Sequence, residues 1–131
     1  MLAVCGLALT GLMLVARNLT PSPRGFGTHE QLGLPPCTFL TATGLRCPSC
    51  GMTTSLAHLT RGQWSKALRS NVAGVLVGLA SFASAPWCLL SAAVGRPVGV
   101  RSIRPVLACI VALVALVSVG GWILRLLFSA A

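Results

Sequence analysis

Acidic residues are all but missing from this chain: Glu30 is the single Asp or Glu among 131 residues. General acid–base catalysis normally draws on histidine or carboxylates, so an enzyme built on paired acids is excluded. Charge of either sign is scarce as well, at 8% of residues against about a quarter in soluble domains. So few charges cannot cover a water-soluble globule, and with a mean hydropathy of +0.87 the lipid bilayer is the expected solvent and partner. The ten Lys and Arg give a formal net charge of +9, which could suggest nucleic acid. They are scattered among apolar runs and no nucleic-acid-binding motif accompanies them, so we expect no nucleic acid partner. They read instead as residues flanking membrane spans, close to anionic head groups.

Two apolar runs are long enough to cross a hydrocarbon core of about 30 Å: Val72 to Val94, and Val106 to Leu124 with Arg125 placed to snorkel behind it. Leu2 to Ala16 is shorter. It has no basic stretch before it, and Leu14-Val15-Ala16 is a poor cleavage site, so it reads as a short or truncated first span rather than a signal peptide. No span contains an acid, a histidine or a central basic residue, which leaves a proton or ion relay without parts. Gly74 and Gly78 form a GxxxG pattern, continued by Ser81, Ser84 and Ala85, that suits close approach of another helix, including one from another membrane protein. Pro86 is expected to kink its span.

The connection over 19–71 opens with Thr20-Pro21-Ser22-Pro23-Arg24-Gly25, which cannot be helical throughout, and Leu34-Pro35-Pro36-Cys37 is a second extended stretch. From Pro48 the chain can be helical to about 61, capped by Cys47 or Ser49 and ended by Gly62. That helix is too short to span, so it is expected to lie on the membrane or dip into it. Gln63 to Asn71 reads as a short interfacial helix with Trp64, Ala67 and Leu68 on one side. The expected fold is therefore an all-α integral membrane protein, a single domain over 1–131. Its three transmembrane helices lie at about 2–18, 72–94 and 106–127, with a short interfacial or re-entrant helix between the first two. Arg17, Arg24, Arg46, Arg61, Lys66, Arg69 and Arg125 outnumber Arg96, Arg101 and Arg104, which puts the long connection and the C-terminus in the cytoplasm.

Chemistry is concentrated in Cys37, Cys47 and Cys50 of that connection; Cys5, Cys88 and Cys109 sit singly in the apolar runs and read as packing residues. Three readings of the trio stay open. Zinc takes four tetrahedral ligands, and Cys37, Cys47 and Cys50 could supply three, with His58 or His29 as the fourth. On one continuous helix Cys50 and His58 would stand about 12 Å apart, so His58 fits only if the helix starts near Thr53. Alternatively, Cys-Pro-Ser-Cys at a helix start would place the first sulfur among unpaired N–H groups and lower its pKa, making a redox nucleophile with Cys37 as an exchanging third thiol. No thioredoxin-like βαβ pattern surrounds it. The third reading is structural: a disulfide or buried thiols, with Thr53, Thr54 and Ser55 bonding to nearby backbone, His58 bonded to Thr54, and His29 solvated in a flexible loop. In all three, the prolines bring the three sulfurs within about 4–6 Å of one another.

The string Cys37-Thr38-Phe39, Thr43-Gly44-Leu45-Arg46-Cys47-Pro48-Ser49-Cys50-Gly51-Met52-Thr53-Thr54, then His58, Arg61-Gly62-Gln63 and Ala67-Leu68-Arg69-Ser70-Asn71, resembles a bacterial membrane family. That family is the one catalogued as domain of unknown function 2752. Here Thr38 replaces the proline after the first cysteine, and Thr54 stands where many members carry arginine. The resemblance implies a small multi-pass protein of the bacterial inner membrane and brings no activity, substrate or cofactor with it. The leading expectation is a structural or partner subunit that needs no cofactor. A membrane thiol–disulfide oxidoreductase and a zinc-binding accessory or carrier are the alternatives.

Overall fold

The computed structural model describes residues 1–99 and 103–129, so Arg101 lies outside the described residues. Every regular element among them is helical. Helix α1 runs Leu2–Asn18, α2 Thr38–Thr43, α3 Met52–Leu59, α4 Trp64–Ser70, α5 Val72–Val94 and α6 Ile103–Ser129, with a 3₁₀ helix at Thr28–Leu32. Two helices are long and apolar enough to cross a membrane: α5, and α6 over Arg104–Leu127. The apolar α1 is shorter, at 17 residues.

Packing centres on α5. Helix α1 lies along it, with Gly6 so close that an added Cβ would stand 2.8 Å from the Leu89 side chain. Cys5 and Cys88, read from sequence as isolated packing residues, meet across this contact. Helix α3 fits between α1, α4 and α5. It runs in the same direction as α5, with Met52 and Ser55 over Gly74 and with Leu56 and Leu59 over Gly78. Gly74 and Gly78, the GxxxG pair expected to suit close approach of another helix, thus pack against the chain's own short helix. Missing side chains at 74 and 78 let two backbones approach, which is what GxxxG offers to any helix.

Three further expectations need correction. The helix expected from Pro48 starts at Met52, because Gly51 has φ +87 and turns the chain just before it. His29 sits in the 3₁₀ helix rather than a flexible loop. Of the three residues expected on one side of α4, Ala67 is fully buried while Trp64 and Leu68 are about half exposed.

The interior is polar where the short elements meet. Thr28, Thr54 and Ser55 are completely buried, and Asn71 nearly so. Each is bonded: Thr28 Oγ1 meets Thr54 Oγ1 at 2.7 Å, and the Ser55 hydroxyl donates to the Asn71 carbonyl at 2.9 Å. Sequence reasoning expected Thr54 and Ser55 to bond locally. Both instead make long-range bonds, because their side of α3 faces other elements. Arg61 donates to the carbonyls of Ala16 and Arg17, at the end of α1, and of Ala57 in α3. One guanidinium so satisfies carbonyls at the end of α1 and joins the Thr60 hydroxyl on the Ala57 carbonyl of α3.

Candidate metal centre

Cys37, Cys47 and Cys50 converge. Cys37 Sγ lies 3.5 Å from Cys47 Sγ, Cys47 Sγ lies 3.2 Å from Cys50 Sγ, and all three sulfurs fall within 4.8 Å of one another. All six cysteines are free thiols. A disulfide would need about 2.05 Å between sulfurs. Sulfurs placed at about 2.3 Å around one tetrahedral ion would stand roughly 3.8 Å apart, so the triangle has the dimensions of a three-thiolate metal site.

Local structure explains how three distant positions meet. The chain turns at Cys47–Cys50, with Cys50 N–H donating to the Cys47 carbonyl at 3.1 Å, and turns again at Gly51. A Cβ on residue 51 would stand 2.7 Å from the carbonyl oxygens of both Gly25 and Ser70, so the backbone passes through a slot that only glycine fits. Asn71 holds the turn from the other side. Its Nδ2 donates to the carbonyls of Pro48 and Cys50, each at 3.1 Å, while its Oδ1 accepts from Gly74 N–H at 3.2 Å and caps α5. Helix α6 adds two more bonds, Ser118 hydroxyl to the Pro48 carbonyl at 3.2 Å and Trp122 indole N–H to the Arg46 carbonyl at 2.7 Å. Trp122 also meets Phe39 edge to face, at 6.3 Å between ring centres. Sequence reasoning gave no role to Asn71, Ser118 or Trp122. The signal available for Asn71 was a buriable amide immediately before a long apolar helix, the usual place for a cap.

The thiols differ in chemistry. The Leu40 backbone N–H, in the first turn of α2, and then the Cys47 thiol hold Cys37 below the ordinary thiol range. Burial, followed by the Cys47 thiol, pushes Cys50 up to about 12. The expected nucleophile was Cys47, at the start of a helix. With α3 beginning at Met52, the sulfur beside a helix N-terminus is Cys37. A cavity of about 220 Å³ opens onto the three sulfurs, walled also by Phe26, His29, Glu30 and Thr54. His58 is elsewhere: its Nδ1 lies 2.6 Å from Gln63 Oε1 rather than bonding Thr54, and it does not line this cavity. Arg24 pairs with Glu30 at 2.8 Å, and the guanidinium groups of Arg24 and Arg46 lie 5.2 and 4.3 Å from the centre of the Phe26 ring.

Fold and site together define a class: an all-helical chain with two helices able to cross a bilayer and a three-thiol loop that could hold a metal ion. Residues 37–85 match the model of a family described as "Protein of unknown function (DUF2752)", which bears out the resemblance read from the cysteines and Asn71. The matched segment contains the whole thiol triangle, the α3 helix and the glycines it packs on. No curated protein and no solved structure matches the chain.

Proposed function

We propose that this is a small multi-pass inner-membrane protein whose cysteine loop is a zinc centre with a structural role, serving as an accessory or partner subunit rather than an enzyme. The convergence of three free sulfurs within 4.8 Å at one end of the helices carries the reading. In this proposal α1, α5 and α6 are the three spans, and α3 and α4 lie at the interface, with Trp64 and Leu68 facing lipid. The inside-out distribution of side chains supports it. Large apolar residues such as Leu107, Val111, Leu113 and Leu116 are exposed along α6, while Thr28, Thr54 and Asn71 are buried. Each such half-exposed Leu or Val would forgo about 1–2 kcal/mol in water. The excess of basic residues puts the loop on the cytoplasmic side, where thiols stay reduced and available to metal.

Metal analysis and thiol counting on protein purified with and without reductant test this. We expect one zinc per chain, lost in Cys47→Ser and released by alkylation. Absence of metal with one pair of thiols consumed would refute it. That outcome would support a second reading, favoured by the lowered Cys37 pKa beside Cys47. In a membrane thiol–disulfide protein, exchange with a partner's disulfide would first oxidise Cys47 and Cys50 to a disulfide and leave the partner as a dithiol. The Cys37 thiolate then attacks Cys47, forming Cys37–Cys47 and releasing Cys50, which takes up a proton.

A further inference from the structure

We propose that His29 is the fourth ligand of this centre, closing a site of three cysteines and one histidine; the inference rests on the zinc reading above. Three sulfurs leave one tetrahedral position to fill, and a structural zinc site is normally closed by protein. The fourth donor must come from the cavity wall, which offers His29 and Glu30. Glu30 is already engaged by Arg24 at 2.8 Å. His29 makes no hydrogen bond or ion pair among the described residues, although it is half-buried at the edge of a polar interior. Charge points the same way. Three thiolates and a divalent ion sum to −1; a neutral imidazole leaves that unchanged, whereas a carboxylate would take it to −2. Arg46, whose guanidinium lies 4.3 Å from the ring centre of the cavity-lining Phe26 and which has no acidic partner among the described residues, is the nearby cation that suits the smaller charge.

The backbone beneath His29 is anchored, while its ring is held by no hydrogen bond among the described residues. The preceding residue, Thr28, is fully buried, bonded to Thr54 on the same cavity wall and to the Ser22 N–H at 3.0 Å. His29 therefore stands on the wall of the cavity onto which the sulfurs open, outside the sulfur triangle, and ligation requires its side chain to rotate toward the ion. His58, the other candidate, is bonded to Gln63 and does not line the cavity.

The test is titration of the full-length, reduced protein in detergent with Co²⁺, a spectroscopic stand-in for zinc, followed by zinc competition. Wild type should bind one ion per chain with the visible ligand-field spectrum of a tetrahedral site made of three sulfurs and one nitrogen. Outer partners of metal ligands are typically worth about 10–100-fold in affinity, so losing a direct ligand in His29→Ala should cost more than about tenfold. The variant's spectrum should also become that of three sulfurs and a solvent oxygen, while His58→Ala changes neither affinity nor spectrum. His29→Cys guards against a folding defect, because a fourth thiolate should restore tight binding with the shifted spectrum of an all-sulfur site. Unchanged affinity and spectrum in His29→Ala, or a solvent oxygen still bound in His29→Cys, would overturn the assignment and leave the zinc reading standing. No Co²⁺ or zinc bound by wild type would overturn both.

Discussion

Replacing Asn71 by alanine should do more damage than removing an ordinary helix cap. The side chain is 2% exposed and makes three hydrogen bonds, two donated to the carbonyls of Pro48 and Cys50 and one accepted from Gly74 N–H. Loss of an N-cap alone costs about 1 kcal/mol. A typical hydrogen bond contributes about 1 kcal/mol net, and each buried group left without a partner costs about 1–3 kcal/mol. The Pro48 carbonyl keeps its Ser118 partner, so the orphaned groups are the Cys50 carbonyl and the Gly74 N–H. We therefore expect Asn71→Ala to lower stability by about 3–4 kcal/mol. Asn71→Asp separates the two roles. Aspartate caps a helix as well as asparagine does, but it cannot donate, and it would turn negative oxygen toward two carbonyls. It should be at least as destabilising as alanine, in reversible unfolding by SDS titration from mixed micelles, and should speed alkylation of Cys50. An Asn71→Asp protein within about 0.5 kcal/mol of wild type would show that the cap matters and the grip on the thiol turn does not.

Three further perturbations follow from the same geometry. Gly51→Ala forces a side chain into a φ of +87, with backbone oxygens 2.7 Å away on two sides, and should cost about 2 kcal/mol or more in the same unfolding assay. In reduced, metal-free protein, the lowered Cys37 pKa means a larger thiolate fraction at any given pH, so its alkylation should turn on at lower pH than that of a free thiol. Cys50, near 12, should stay protonated and unreactive through about pH 9; mass spectrometry of protein labelled across roughly pH 6–10 reads the order. Gly78→Leu places a branched side chain where Leu56 and Leu59 of α3 already sit, and should cost about 1–3 kcal/mol, read as a lower unfolding midpoint with faster labelling of the Cys47–Cys50 turn.

Long-period features were legible in the sequence. The apolar run from Val72 to Val94 is the α5 helix residue for residue, since a helix that long is announced by composition alone. The cysteine trio was legible as well, because prolines and a CxxC leave few paths. What escaped was decided by contacts between distant segments. Met52 begins α3 because residue 51 sits against Gly25 and Ser70, neighbours that spacing cannot reveal. Thr54 looked like a local bonding residue, and its partner Thr28 lies in a segment with no periodicity of its own. His29 looked solvated because charge and loop composition surround it in sequence, whereas in space it lines the thiol cavity.

The bonds from Ser118 and Trp122 to the carbonyls of Pro48 and Arg46 also set an order of assembly. Pro48 and Arg46 leave the ribosome 70 and 76 residues before Ser118 and Trp122, the α6 residues that clamp them. During that interval α1, α3 and α5 can already meet, and the cysteines are held by Asn71 alone from the α5 side. The loop becomes fully restrained only when α6 has formed and brought Ser118 and Trp122 against it. A chain stalled before α6 would lack the Ser118 and Trp122 bonds and present the same three sulfurs in a looser, more reactive state.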